Sequence, residues 1–212
     1  MSSSWIPGWA SLAWLLIYAV IAAWHVGHLA AAGRSLRVWH TAHVLVAVGM
    51  IDMFWPGGAM PVGPTSGQAV FGAAAAAVVA AIAVAAARGR PVGRLWVLTA
   101  ADLAVMAYMF ALSSVRYLVV LTTVLAAWQV AEAIAWASGY LCPAVPGTRL
   151  VAAGGARGLA VPRPASSGHE GLALRASLAL MSLGMAYMLV AMQFGMPMPG
   201  PAGPLMPGMP GM

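Results

Sequence analysis

Residues 9–55 read WASLAWLLIYAVIAAWHVGHLAAAGRSLRVWHTAHVLVAVGMIDMFW. Two apolar runs meet at a turn that carries Arg34 and Arg37. The same pattern, Trp-His-x-x-His, stands on both sides of that turn, as Trp24–His28 and as Trp39–His43. A helix needs about 20 apolar residues to cross a hydrocarbon core of about 30 Å. The stretch therefore predicts a transmembrane hairpin with four imidazoles near its closed end.

The rest of the chain repeats the device. Apolar segments over 9–31, 37–55, 67–87, 95–112, 116–138 and 172–194 predict an all-α, polytopic bundle of six spans. The composition agrees: of 212 residues, 62% are hydrophobic and 7% charged, against about 25% charged in a soluble domain. Such a chain could not cover its own apolar surface in water, which excludes an ordinary soluble enzyme. The single cysteine, Cys142, excludes a disulfide framework and a Cys-based zinc site.

Charge sets the expected orientation. Arg34, Arg37, Arg88, Arg90, Arg94, Arg149, Arg157, Arg163 and Arg175 fall on one side of the six spans, and only Arg116 falls on the other. The positive-inside rule makes the Arg-rich face cytoplasmic and puts both termini outside. The net charge of +6 then reports topology rather than nucleic-acid binding. The N-terminus lacks a positive n-region, so span 1 is read as a true transmembrane helix and not a signal peptide. Residues 1–195 form the expected membrane domain, with 139–171 as a flexible cytoplasmic loop rich in Gly, Pro, Ala and Ser. Residues 196–212, almost wholly Met, Pro and Gly, form an expected disordered outer tail.

Histidine and methionine carry the chemistry. On a helix, i and i+3 share a face. His28 and His40 then lie about one turn from the loop, and His25 and His43 about two, giving two stacked pairs. Neutral imidazole binds Zn, Cu, Fe or Ni, and one His from each helix could hold a haem. The plainer account is interfacial, with the Trp residues as belt anchors at headgroup level.

The methionines within spans are Met50 and Met53 (span 2), Met106 and Met109 (span 4), and Met181, Met185, Met188 and Met192 (span 6). Spans 1, 3 and 5 have none. Each Met-bearing span contains Met-x-x-Met, and in span 6 the four recur as one stripe. Packing is the commonest role of methionine. The alternative is soft-metal chemistry. Thioethers select Cu(I), need no deprotonation and avoid the penalty of a buried charge. The Met-rich tail would raise ligand concentration at the entrance.

Polar residues inside spans are a functional signal by default. Asp52 adjoins Met53, Asp102 lies one turn before Met106, and Gln129 and Glu132 share a face of span 5. His43, Asp102 and Met181 each precede the Met-x-x-Met unit of their span. They are expected to complete a ligand shell, with Asp102 orienting a histidine or neutralising a cation. The structural alternative pairs Asp102 or Glu132 with Tyr108, Gln129 or the backbone. No nucleophile–base arrangement, phosphate loop or His-Glu-x-x-His occurs, so no enzymatic activity is expected.

The layout is similar in device, without sequence similarity, to the eukaryotic high-affinity copper uptake channels. Met181/Met185 and Met188/Met192 have their Met-x-x-x-Met spacing. His40-x-x-His43, Met50-x-x-Met53 with Phe54-Trp55-Pro56, Met106-Ala107-Tyr108-Met109 and Met185-Ala186-Tyr187-Met188 resemble a bacterial family of multi-span membrane proteins classed as a domain of unknown function. That family is marked by His and Met in alternate helices. The resemblance implies a multi-pass protein of the bacterial plasma membrane and covers nearly all six spans. Span 4 of the family often carries His where this chain has Asp102.

The expected function is Cu(I) binding, uptake or delivery. The candidate ligands are His25, His28, His40, His43, Met50, Met53, Asp102, Met106, Met109, Met181, Met185, Met188 and Met192. A haem-b electron carrier and a non-catalytic accessory or scaffold subunit are the alternatives. The expected partners are the lipid bilayer and a metal ion, with a homo-oligomer or larger membrane complex left open.

Overall fold

A computed structural model of the protein describes residues 6–30, 32, 34–55, 61–112, 118–141 and 169–195. Within these, all regular structure is helical: α1 (Gly8–Leu29), α2 (Arg34–Met53), α3 (Pro64–Ala87), α4 (Arg94–Leu112), α5 (Val119–Ala137) and α6 (His169–Gly195). The helices follow the apolar segments closely. Helix α6 starts at His169, three residues before the expected start of span 6 at 172. Most of the expected cytoplasmic loop, the Met-rich tail, and Met60, Arg116, Arg149, Arg157 and Arg163 lie outside the described residues.

Five of the six helices are long and apolar enough to cross a membrane: α1, α3, α4, α5 and α6. Helix α2 is the exception. Arg34, Arg37, His40, His43 and Asp52 all lie on it, and they lower its apolar content.

Consecutive helices pair as α1 with α2, α3 with α4 and α5 with α6. Contacts of α4 with α2 and α6, and of α6 with α1, join the pairs into a bundle. The outward faces stay apolar, as Leu12, Leu16 and Val20 on α1 and Val120, Val124 and Ile134 on α5 show. In lipid, exposed apolar surface costs nothing, so helix association rests on close packing and hydrogen bonds. Tyr18 supplies one such bond, its hydroxyl donating to the Met181 carbonyl at 2.8 Å. Gly184 makes room for it, because a Cβ there would run into the Tyr18 ring.

The Arg-bearing helix starts share one end of the bundle. Arg94 Nη2 donates to Leu141 O, just beyond the end of α5. Arg175 Nε donates to Trp136 O at 3.3 Å, and its Nη2 donates to Ala137 O. These carbonyls close α5, where a helix terminus favours a cation. Gly139, at φ +79°, ends the helix in the left-handed conformation that glycine adopts without a Cβ penalty.

Candidate metal centre and polar chamber

Two sites occupy different depths of the bundle. The first is a methionine core. Met50 of α2, Met106 and Met109 of α4, and Met181, Met185 and Met188 of α6 are buried in one hydrophobic cluster. Met53 and Met192 are half-buried and pack against it. Six of the eight thioethers are thus part of the bundle's interior, and the other two lie at its edge. Gly49 on α2 keeps α4 close, since a Cβ there would press on Met106 Cε and the Phe71 ring.

The second site is the histidine hairpin. Its rings form the two expected stacks: His25 on His43 at 5.2 Å and 18°, and His28 on His40 at 5.6 Å and 24°. A diagonal contact links them, His25 Nδ1 to His40 Nδ1 at 2.9 Å. One ring must donate and the other accept, so the two carry opposite tautomers at that nitrogen. His25 Nε2 is buried without a partner. His28 and His43 each donate from Nδ1 to the carbonyl one turn earlier, Trp24 O and Trp39 O, both at 2.8 Å. Those bonds leave Nε2 as the free lone pair in the neutral rings. Trp24 covers His28 and Trp39 covers His43, each with ring centroids 4.1 Å apart. Trp39 is only 2% exposed, so it packs in the interior and is not a belt anchor.

Between the histidines and the methionine core lies a small cavity of about 10 Å³. That is close to the space one water molecule needs. Trp39 and His43 of α2, Thr99 and Asp102 of α4, Glu132 and Trp136 of α5, and Met181 and Ser182 of α6 line it, with Leu95, Leu98 and Leu178. His43, Asp102 and Met181, singled out from sequence as preceding each Met-x-x-Met, therefore meet at one place.

The bonding of the acids is specific. Gln129 Nε2 donates to Asp102 Oδ1 at 3.0 Å, the pairing expected under the structural alternative. Tyr108 instead bonds Thr122 at 2.7 Å, and because Thr122 donates to Leu118 O, Tyr108 is the donor. Trp136 Nε1 donates to Glu132 Oε1 at 3.3 Å, while Glu132 Oε2 is buried without a partner. Asp102 is expected to orient a histidine or neutralise a cation; the Nδ1 of His43 is held by the Trp39 carbonyl, one turn before it on the same helix. Asp52 lies elsewhere and accepts from Val62 N at 2.8 Å.

Among the described residues, no group of three or more His, Cys, Asp or Glu side chains is placed to hold a metal ion. The four histidines and Asp102 are thus not gathered into one imidazole–carboxylate ligand set. Their Nδ1 atoms are committed to carbonyls or to each other, and Asp102 sits across the chamber. Sequence reasoning missed Thr99, Ser182 and Tyr18. Thr99 stands one turn before Asp102 and Ser182 one turn after Leu178, so helical spacing places each on the face of another cavity-lining residue.

The chain belongs to the family described as domain of unknown function DUF5134, whose model matches residues 35–192. The matched region takes in the chamber and all three Met-x-x-Met units. It begins after α1, so membership of an uncharacterised family, expected over nearly all six spans, is shown for α2 to α6. No curated protein and no solved structure matches the chain.

Proposed function

We propose that this DUF5134 protein is a six-span membrane protein that binds Cu(I) through thioether sulfur, for uptake or delivery of the ion. The supporting observation is that the methionines of α2, α4 and α6 share one buried core, with six of the eight at most 3% exposed. Sulfur without charge is the donor a soft monovalent ion prefers, and it can sit in a low-dielectric interior at little cost. The histidine stacks at the Arg-bearing end would receive or release it, with His25 Nε2 the buried nitrogen left unpartnered. In this topology α2 crosses the bilayer, both termini lie outside, and the Arg-bearing end faces the cytoplasm.

The test is metal analysis of detergent-purified protein after Cu(I) loading, alongside its visible spectrum. Bound copper with no Soret band is expected; absence of copper, together with unchanged copper accumulation in a deletion strain, defeats the proposal.

A further inference from the structure

The chamber beneath the histidines differs chemically from the methionine core. Its donors are nearly all spent elsewhere. Thr99 Oγ1 donates to Leu95 O at 2.9 Å and Ser182 Oγ to Leu178 O at 3.1 Å, each within its own helix. His43 spends its Nδ1 proton on Trp39 O, and Trp136 spends its indole proton on Glu132. Beyond the Trp39 indole, the lining therefore offers acceptors: two hydroxyl oxygens, an imidazole lone pair and two carboxyl groups. It contains no Arg or Lys. Glu132, only 5% exposed, lines the chamber with Oε2 unpartnered. A buried acceptor without a donor is costly, and two buried carboxyl groups lining one cavity more so.

We propose that the chamber binds one water-sized monovalent cation of the Na⁺ class, held by Glu132, Asp102, Thr99 and Ser182. Hard oxygen donors suit such an ion and a soft thioether site does not. The cavity volume admits a single body of water size. Two carboxylates and one imidazole do not by themselves form a metal-holding group, so the hydroxyl oxygens of α4 and α6 supply the remaining ligation. An ion there would tie α4, α5 and α6 together between the histidines and the methionine core. The site goes beyond the copper proposal and stands without it.

The test is thermal unfolding of the full chain in detergent, with a copper chelator present, at fixed pH and chloride, in NaCl, KCl or choline chloride. A ligand that binds only the folded state raises the midpoint in proportion to its occupancy. The expected result is a saturable rise with NaCl over choline chloride, smaller with KCl. Glu132→Gln should abolish the rise, and Thr99→Val or Ser182→Ala, which keep both acids, should weaken apparent Na⁺ affinity at least tenfold. Met185→Leu should leave it unchanged. If Glu132→Gln fails to fold, the Thr99→Val variant decides. Equal midpoints in NaCl and choline chloride, a KCl response equal to that of NaCl, stabilisation that follows pH alone, or an undiminished Na⁺ response in either variant overturns the proposal.

Discussion

The methionine core and the polar chamber adjoin in the same bundle, both built on α2, α4 and α6 with α5 added at the chamber, and they solve burial in opposite ways. The core places six thioethers in the interior and needs no hydrogen bond for any of them. The chamber places Asp102, Glu132 and His43 nearly as deep, and each needs a partner: Gln129, Trp136 and the Trp39 carbonyl. Sulfur can be added to a core at will, because it is polarisable and uncharged. A carboxyl group can be buried only where a donor reaches it, from the neighbouring helix for Asp102 and from one turn along its own helix for Glu132. The core is therefore tolerant and spread over many residues, whereas the chamber is exact and carried by a few.

The largest expected difference between the two regions is in metal binding. Replacing Met185 and Met188 together by Leu should weaken Cu(I) binding at least tenfold, about 1.4 kcal/mol. The volume is conserved, so folding should change by under about 1.5 kcal/mol per site. Copper titration and thermal unfolding of the same samples separate the two, and full copper binding in the double variant would return the methionines to a packing role.

Next is the chamber. Asp102→Ala leaves the Gln129 amide without its acceptor and should destabilise the protein by about 1–3 kcal/mol. A thermal midpoint equal to that of the wild type would show that the acid pair is not held as tightly as the contrast requires.

Gly184→Ala probes the contact that seats α1 on α6 between the two regions. It should displace Tyr18 and break its bond to Met181 O, costing about 1–3 kcal/mol. Tyr18→Phe removes the bond and keeps the ring. It should cost less than Gly184→Ala in the same unfolding experiment, and the reverse order would mean that the hydrogen bond dominates.

The smallest effect expected is at the α5 terminus. Gly139→Ala forces a Cβ into the left-handed region and should cost about 1–2 kcal/mol in thermal unfolding while copper binding stays unchanged. A loss of copper binding there would show that the Arg-bearing end is coupled to the core.

Much of this was legible in the chain. The apolar runs gave six helices to within a few residues, because a bilayer-length helix is a long and strongly biased segment. The doubled Trp-His-x-x-His predicted both histidine stacks, since i, i+3 spacing on two antiparallel helices leaves little freedom. His43, Asp102 and Met181 were placed at equivalent depths, and they do line one cavity. The hairpin's diagonal contact, His25 to His40, was not legible, because it depends on how the two helices rotate against each other. The partners of the acids were only half legible: Gln129 was one of three candidates for Asp102, and Trp136 was not among those for Glu132. Thr99 and Ser182 were overlooked because a hydroxyl in an apolar helix ordinarily bonds its own backbone, as both do here.

The sequence by itself determined which segments are helices, which helices carry sulfur and which end carries arginine. Each of these depends on residue type and spacing along one helix, where geometry is fixed at 3.6 residues per turn. Only the tertiary structure decided that the methionines share a single core. It also decided that the histidines form stacks without a closed metal cage, and that two acids face a water-sized space with almost no donors left. Those facts depend on the rotation and approach of neighbouring helices, which Gly49 and Gly184 permit and which no periodicity within a single helix encodes.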